Sequence, residues 1–265
     1  MARFGETSNT PLALPRPGKV LRIVLIGLLA IWVLFAVLVN WGNLGSGVFL
    51  ALTSNTEGVL HGQLWRLFTA SLIHVPTGTI GHIASALFGL YFLGPSLESA
   101  WGSGRFARFL VLTGVLAYGV QVAVDAALGP AASEQLVPPF SYGAMPVVEA
   151  VAIAWACSFR GRTVHLFMVL PVTSTMLIVF VVGISIMSLI AGATPPSGHV
   201  ALFAGMGAGY LLGGGTPSPL RRIYLRYRLA RLEADAKSDR KKRTGQGGLR
   251  LIHGGKKPKK NPELH

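Results

Sequence analysis

The stretch IVLIGLLAIWVLFAVLVN, residues 23–40, decides the class of fold, because it contains no charged side chain. The hydrocarbon core of a bilayer is about 30 Å thick, and about 20 helical residues cross it. Arg22 and Trp41 bound the stretch. A polar, proline-containing segment precedes it and no small-residue cleavage motif is present, so we expect an uncleaved transmembrane helix rather than a signal peptide.

The composition of the whole chain extends this interpretation. Of its 265 residues 51% are hydrophobic and 13% are charged, and the mean hydropathy is +0.53. A soluble domain carries about 25% charged residues, so this chain has too little charge to cover a surface that faces water. One cysteine, Cys157, cannot form an intrachain disulfide. The composition therefore indicates a polytopic membrane protein and excludes a disordered, collagen-like or disulfide-rich chain.

Five further apolar stretches predict six transmembrane helices in all. They lie at residues 80–99, 106–128, 141–158, 172–192 and 198–215. The mixed sequence of residues 41–79 predicts a long structured loop between the first two helices. Residues 164–192 are too long for one crossing and contain Pro171, so we place 164–170 in a loop that dips into the protein and start the helix after the proline.

The last predicted helix carries Gly205, Gly209 and Gly213 at four-residue spacing. Small residues at this spacing let membrane helices approach closely, although glycine is also common in membrane helices generally. The fold class expected from these features is an all-α polytopic membrane protein with a six-helix bundle. Its expected parts are a cytoplasmic segment 1–19, the membrane domain 20–215, and a basic cytoplasmic tail 216–265 that is largely disordered.

The charge of the chain is concentrated at its two ends. The net charge is +14, and residues 221–265 hold fifteen basic against four acidic residues. With six spans and a cytoplasmic start, Arg66 is the one basic residue in the outer loops. Because lysine and arginine accumulate on the cytoplasmic side, we expect both termini to be cytoplasmic, in the cell membrane.

Three ionisable residues fall within the predicted spans: His82, Glu149 and His199. Ionisable groups are costly inside a membrane and are candidates for function. Both histidines and the segment 141–144 begin predicted helices near the outer face, where they could form a site accessible to water. The alternative is that each histidine is a packing residue near the interface. No nucleotide-binding loop, haem motif or metal-ligand cluster appears, and His74 and His82 have poor spacing for zinc, so we expect no cofactor.

Four motifs in order along the chain resemble the rhomboid superfamily of intramembrane serine proteases. They are WRLFTASLIH (65–74), LGPSLESAWGSGRF (93–106), the stretch 139–158, and HVALFAGMGAGYLLG (199–213). The resemblance covers about residues 20–215 and implies the six-helix rhomboid fold. It also implies a serine in a Gly-x-Ser-Gly turn, a histidine base in the sixth helix, and a His-x-x-x-Asn motif that binds the oxyanion.

The catalytic positions carry over only in part. His199 matches the base, and His82 matches the first residue of the oxyanion motif in HIASA, where Ala86 replaces the asparagine. The serine turn aligns with SYGA (141–144), which puts Gly143 at the position of the nucleophile. Acyl transfer needs an oxygen nucleophile within reach of its base, and loss of one oxyanion donor costs about 10²–10³ in rate. The resemblance therefore implies a catalytically degenerate member of the family.

Ser141 is the nearby serine that could replace the missing nucleophile. In a helix it would point about 200° away from Gly143, whereas in an extended segment it could lie about 6–7 Å from the usual position. Glu149 lies about 240° around the helix from Gly143 and cannot share its face. Its carboxyl group either packs against a neighbouring helix and is hydrogen-bonded there, or contacts a bound transmembrane segment.

Three functions follow as hypotheses. The first is an inactive pseudoprotease that binds transmembrane segments of client proteins. The second is an active intramembrane serine-type endopeptidase that uses Ser141 with His199. The third is a small transporter or lipid-handling protein, which is the weakest because neither an internal repeat nor paired interrupted helices are visible.

The polybasic tail predicts a partner of its own. Residues 220–243 are expected to lie along anionic lipid headgroups, since juxtamembrane basic residues gain about 1 kcal/mol each near an anionic leaflet. The cluster KKPKK at 256–260 should sample the same surface loosely. Binding to RNA or the ribosome is a rival interpretation, and nucleic acid is the less favoured partner. A tail that only sets topology and solubility remains open as well.

Overall fold

The computed structural model describes residues 16–42, 44–78, 80–129, 135–166, 170–215 and 218–246. The longer helices, in chain order, are α1 (Lys19–Asn40), α5 (Gly81–Trp101), α6 (Ser103–Leu128), α7 (Met145–Ser158), α8 (Ser174–Ile190), α9 (His199–Gly213) and α10 (Pro219–Gln246). Three short helices, α2 (Ser46–Leu52), α3 (Thr56–Leu60) and α4 (Trp65–Thr69), and a 3-10 turn (Ala70–Leu72) lie between α1 and α5. The two strands are β1 (Thr163–Leu166) and β2 (Leu170–Thr173).

Helices dominate the described ranges, in keeping with the all-α membrane fold expected from the sequence. Within these ranges, α1 and α6 are long and apolar enough to cross a bilayer by themselves, and α7, α8 and α9 are shorter apolar helices. Each of these five helices falls within or across a predicted span. The chain divides into two units, residues 1–221 and residues 222–265. Most of α10 belongs to the second unit.

The central element of the first unit is α7, in which eleven of fourteen residues are buried. Helix α9 packs closely along it. A Cβ added to Gly205 would strike the carbonyl of Pro146, and one added to Gly209 would strike the carbonyl of Ala150. The four-residue glycine spacing therefore permits contact between the two backbones, as small residues do in membrane helices generally.

Helix α1 is fixed at its start by a carboxylate of α5. Glu98 is buried and accepts hydrogen bonds from the backbone N–H groups of Val20 and Leu21, at 3.0 and 3.1 Å, and from the hydroxyl of Ser103. The first amides of a helix lack partners within the helix and carry partial positive charge. One side chain thus caps α1 and joins it to α5 and α6.

The segment between α1 and α5 is structured, as predicted, and Arg66 organises it. The Arg66 guanidinium donates to the Leu50 and Thr53 carbonyls at 2.7 and 2.8 Å, and to the side-chain oxygen of Gln63 at 2.6 Å. The indole of Trp32 also donates to the carbonyl of Val75. These bonds tie α4 to α2 and the residues around it, and fix the end of the segment to α1.

Two parts of the chain differ most from the predictions. Residues 164–170 were expected to form a dipping loop, but Thr163–Leu166 and Leu170–Thr173 pair as an antiparallel hairpin, in which Val164 lies opposite Val172. Pro171 is part of β2, and α8 begins only at Ser174, because Thr173 caps it by accepting from the N–H of Met176. Helix α7, which corresponds to the fourth predicted span, begins at Met145 rather than at residue 141.

The tail also differs in part from the disorder expected for residues 216–265. Residues 219–246 form the continuous helix α10. The basic cluster 256–260 and residues 1–15 lie outside the described residues, so the predictions made for them stay predictions.

Candidate functional site

The segment before α7 is extended, and its backbone is tied to three other parts of the protein. Ser141 pairs with Ser54 through two N–H···O bonds of 2.8 Å. The N–H of Tyr142 donates to the carbonyl of Pro196, and that of Gly143 donates to the carbonyl of Ala70. The segment is therefore held between the loop before α5 and the residues that lead into α9.

Both backbone groups of Gly143 are occupied. Its N–H donates to Ala70 at 2.8 Å, and its carbonyl accepts from the buried hydroxyl of Tyr118 at 2.7 Å. The next N–H, of Ala144, donates to Nε2 of His74 at 3.3 Å. An oxyanion hole requires donors aimed at the place where negative charge develops. These two consecutive amides donate elsewhere and are not free for that task.

The space beside Gly143 is filled by an imidazole ring. A Cβ added to Gly143 would lie 2.6 Å from Cε1 and 2.8 Å from Nε2 of His82, closer than real Cβ contacts come. The φ angle of Gly143 is +114°, a conformation that side chains of L-residues rarely adopt. The structure thus brings together two of the residues that the resemblance singles out, with His82 standing where a nucleophile's side chain would begin.

A second histidine lies against the first. The rings of His74 and His82 have centroids 5.1 Å apart, and Tyr142 approaches His82 edge-on at 6.3 Å. Burial, reinforced by the nearby His82 ring, lowers the pKa of His74 from 6.5 to about 4. His74 is therefore neutral at physiological pH, as required for its Nε2 to accept the N–H of Ala144. Neither ring nitrogen of His82 has a hydrogen-bond partner among the described residues.

His199, the expected base, is the first residue of α9 and is 1% exposed. Its backbone N–H donates to the carbonyl of Leu136, and the backbone of Ala193 is a hydrogen-bond partner of its ring. Its Nδ1 has no partner within the described part of the chain. A base requires a nucleophile within hydrogen-bond reach. No hydrogen bond joins the ring to Ser141, whose hydroxyl is bonded elsewhere.

Ser141, the candidate replacement nucleophile, is also buried. Its hydroxyl accepts from the side-chain amide of Gln121 at 2.6 Å and donates to the carbonyl of Pro138 at 3.2 Å. The same Gln121 accepts from the N–H of Ala201, in the first turn of α9, at 2.9 Å. Gln121 thus connects the serine to the helix that carries His199.

Two of these residues, Tyr118 and Gln121, were missed by the sequence analysis. Both are polar residues on α6, three positions apart, so their side chains share one face of the helix. A glutamine inside an otherwise apolar membrane stretch is itself the signal that could have identified them.

The remaining predicted residues lie around this site or apart from it. Ala86 is fully buried, and its methyl side chain offers no hydrogen-bond donor. The neighbouring Ser85 donates to the carbonyl of His82, in its own helix, and so does not replace the missing amide. Among the described residues, no group of three or more His, Cys, Asp or Glu side chains is placed to hold a metal ion.

The contacts of Glu149 agree with one of the two interpretations that the sequence left open. It is buried on α7, and its Oε1 accepts a 3.0 Å hydrogen bond from the hydroxyl of Ser185 on α8. The carboxyl group therefore packs against a neighbouring helix and is hydrogen-bonded there. Its Oε2 has no partner in the described ranges.

Comparison with known proteins gives a family match and two informative relatives. The family model described as the Rhomboid domain matches residues 61–216, which is more than half of the chain. "RHOMBOID-like protein 12, mitochondrial" from Arabidopsis thaliana is 30% identical over 149 residues, covering 53% of this chain and 43% of that protein. "Rhomboid protease GluP" from Bacillus subtilis (strain 168) is 27% identical over 111 residues, covering 42% of this chain and 21% of that protein. The matched region spans less than half the length of either relative.

Proposed function

The chain belongs to the rhomboid family of membrane-embedded proteins, and from that premise we propose that it is a pseudoprotease that binds transmembrane segments of client proteins without cleaving them. One observation carries the proposal: at Gly143, which the resemblance aligns with the nucleophile, the ring of His82 fills the space that a side chain would need. Covalent acyl transfer requires an oxygen or sulfur nucleophile beside its base, and Gly143 has neither.

The hydrogen bonds around the site support the same proposal. The amides of Gly143 and Ala144 donate to Ala70 and His74, and Ala86 supplies no amide side chain. Each missing oxyanion donor costs about 10²–10³ in rate, so a residual nucleophile elsewhere would still lack the means to stabilise its transition state.

The binding part of the proposal is supported by the surface of α8. Only three of its seventeen residues are buried, and its exposed residues include Val179, Phe180 and Met187. In a bilayer, an exposed apolar helix face is available for packing against another membrane helix. Helix α8 borders α7 directly, through the bond between Ser185 and Glu149.

Proteolysis by Ser141 with His199 is the alternative, and one relative is named a rhomboid protease. Gln121 connects Ser141 to the first turn of α9, which favours this alternative. The Ser141 hydroxyl, however, donates its hydrogen to Pro138. A base can accept that hydrogen only after this bond is broken.

Photo-crosslinking of a single-span test protein, with an epitope tag at each end, separates binding from cleavage. A benzoylphenylalanine at the exposed position 180 of α8 should capture the intact test protein, and His199→Ala should leave the yield unchanged. A control crosslinker at Val120, on the exposed face of α6, should capture less. Absence of any adduct at position 180 would refute the binding part. A cleaved fragment that disappears in both Ser141→Ala and His199→Ala would establish the protease instead.

The finer membrane arrangement belongs to the same proposal. The chain crosses the membrane six times, with α1, α5, α6, α7, α8 and α9 as the spans, and both termini are cytoplasmic. The basic ends support this orientation, because lysine and arginine are retained on the cytoplasmic side. The membrane is that of the cell, the plasma or inner membrane.

The helix α10 is proposed to lie on anionic lipid headgroups. Its first half exposes Arg221, Arg226 and Arg228 beside Ile223 and Tyr227. Such a pairing of cations with apolar side chains suits an interfacial position. A peptide of residues 219–246 should bind vesicles that contain phosphatidylserine and be released by added salt. Equal binding to neutral vesicles, or tighter binding to RNA at the same ionic strength, would refute this part.

A further inference from the structure

A cavity of about 130 Å³ lies within the first unit, behind the segment that precedes α5. Its wall is built from α1, α4, the 3-10 turn, α5, α6 and the start of α7. Apart from one serine, the residues that line it are apolar. One lining residue, Ala144, also belongs to the candidate site, because its N–H donates to His74.

The depth of the cavity in the membrane follows from the helices that line it. Leu28 lies nine residues into α1, a helix of 22 residues, and Leu90 lies nine residues into α5, a helix of 21 residues. At 1.5 Å per residue, each is about 13–14 Å from the start of its helix and so close to its middle. With α1 and α5 as membrane spans, as in the arrangement proposed above, the cavity is level with the centre of the bilayer, where only the ends of acyl chains are found.

The mouth of the cavity faces the lipid. Phe68 on α4 and Val111 on α6 both line it, and they are 43% and 44% exposed. Both are apolar, so the opening has no barrier to a hydrocarbon chain and nothing to attract water. Entry is lateral, from the bilayer.

The one polar side chain of the wall is that of Ser71. It is buried, and its hydroxyl has no hydrogen-bond partner among the described residues. One hydroxyl does not provide the two to four polar partners that a buried water molecule needs. An apolar cavity of about 150 Å³ in another protein stays dry and binds benzene. The size and lining here fit a hydrocarbon ligand in the same way.

We propose that the terminal part of a bilayer phospholipid acyl chain occupies this cavity. An empty apolar cavity forfeits the contacts of the atoms that line it, and the hydrocarbon at its mouth restores them. The chain end packs beneath the 3-10 turn, whose Ala70 carbonyl holds the N–H of Gly143. The bound lipid thus supports the segment on which the site is built, independently of whether the site binds clients or cleaves them.

The experiment uses the purified full chain in nanodiscs of two photoreactive phosphatidylcholines. One carries a diazirine at the end of its acyl chain, and the other carries it next to the ester. After irradiation, mass spectrometry locates the adducts. The end-labelled lipid should mark Leu90 and Val147, which are buried, whereas the ester-proximal lipid should not. Leu29 and Phe88, in an open groove between α1 and α5, report ordinary contact with surrounding lipid.

A plug at the mouth supplies the matched control. Val111→Trp should abolish the adducts on Leu90 and Val147 while leaving those on Leu29 unchanged. Val120→Trp, on the same helix at 44% exposure, should change none of them. Adducts confined to exposed residues in the wild-type protein would overturn the proposal, even if Val111→Trp fails to fold. Equal marking of Leu90 by both lipids would overturn the assignment to the chain end.

Discussion

Gly143 has no side chain, and the ring of His82 occupies the space beside it. The backbone there is left-handed, at φ +114°, and both its N–H and its carbonyl have partners. A residue with a side chain would meet the ring of His82 and would also be strained in its backbone. The packing of His82 and the backbone conformation thus both favour glycine at this position.

Restoring the serine should therefore destabilise the protein without creating activity. We expect Gly143→Ser to cost about 1–3 kcal/mol, from the strained backbone and the displaced ring. Thermal unfolding in detergent measures the loss. The second change His82→Ala should recover part of it, because it removes the ring, and this coupling is read from a double-mutant cycle.

Gly119→Ser is the control for this substitution. Gly119 lies on α6, and a Cβ there would meet nothing within 4 Å. It should be nearly neutral apart from the small difference in helix propensity. A Gly143→Ser protein as stable as the Gly119→Ser protein would contradict the account of His82.

His74 should make the stability of the fold depend on pH. Its pKa is about 4 in the folded protein and 6.5 as the reference value, so the unfolded chain binds more protons between these values. The contribution of His74 to the free energy of unfolding is therefore fully present above pH 6.5. It is lost as the pH is lowered towards 4, by roughly 3 kcal/mol in all. His74→Gln should flatten this slope in unfolding curves, while His61→Gln, at an exposed histidine, should leave it unchanged. A wild-type protein with constant stability between pH 6.5 and 4 would contradict the burial of His74.

At the scale of elements, the contact between α7 and α9 explains the glycine spacing. Gly209 faces the carbonyl of Ala150, whereas Gly207, two residues earlier on α9, has nothing within 4 Å of an added Cβ. Gly209→Ala should force the helices apart and lower stability by about 1–3 kcal/mol. Gly207→Ala should be neutral or stabilising by up to about 1 kcal/mol, because alanine favours the helix. Unfolding measurements on the pair test this contact, and equal stabilities would contradict it.

The elements also show how far the sequence could be read. Apolar length and glycine spacing are local properties, and they were enough to place the helices and the close contact of α9. The hairpin of β1 and β2 was not predicted, because the apolar run 164–170 does not indicate which residues pair across the turn. Proline in β2 was interpreted as a helix start for the same reason, although proline is equally compatible with an edge strand.

The site shows the same division. Gly143, Ala86 and His82 were predicted from motif positions alone, and the structure places His82 beside Gly143. That His82 fills the space at Gly143 depends on how α5 packs against the extended segment, and no local pattern reports this packing. The contact of Gln121 with Ser141 joins residues twenty positions apart. Its only trace in the sequence is a polar residue in an apolar stretch.

At the scale of the whole molecule, the two basic ends should determine the orientation. Reporter fusions or cysteine labelling at residues 10 and 260 should both report the cytoplasm, since the outer loops carry almost no positive charge. An external C-terminus would imply an odd number of spans.

Reaction with a fluorophosphonate, which labels activated serines covalently, tests the absence of a working nucleophile most directly. The purified full chain in lipid should show no labelling above that of the His199→Ala protein, because Gly143 has no oxygen and Ser141 is bonded to Gln121 and Pro138. An active rhomboid protease labelled in parallel establishes that the reagent works. Labelling that maps to Ser141 and is lost in both Ser141→Ala and His199→Ala would contradict the pseudoprotease assignment.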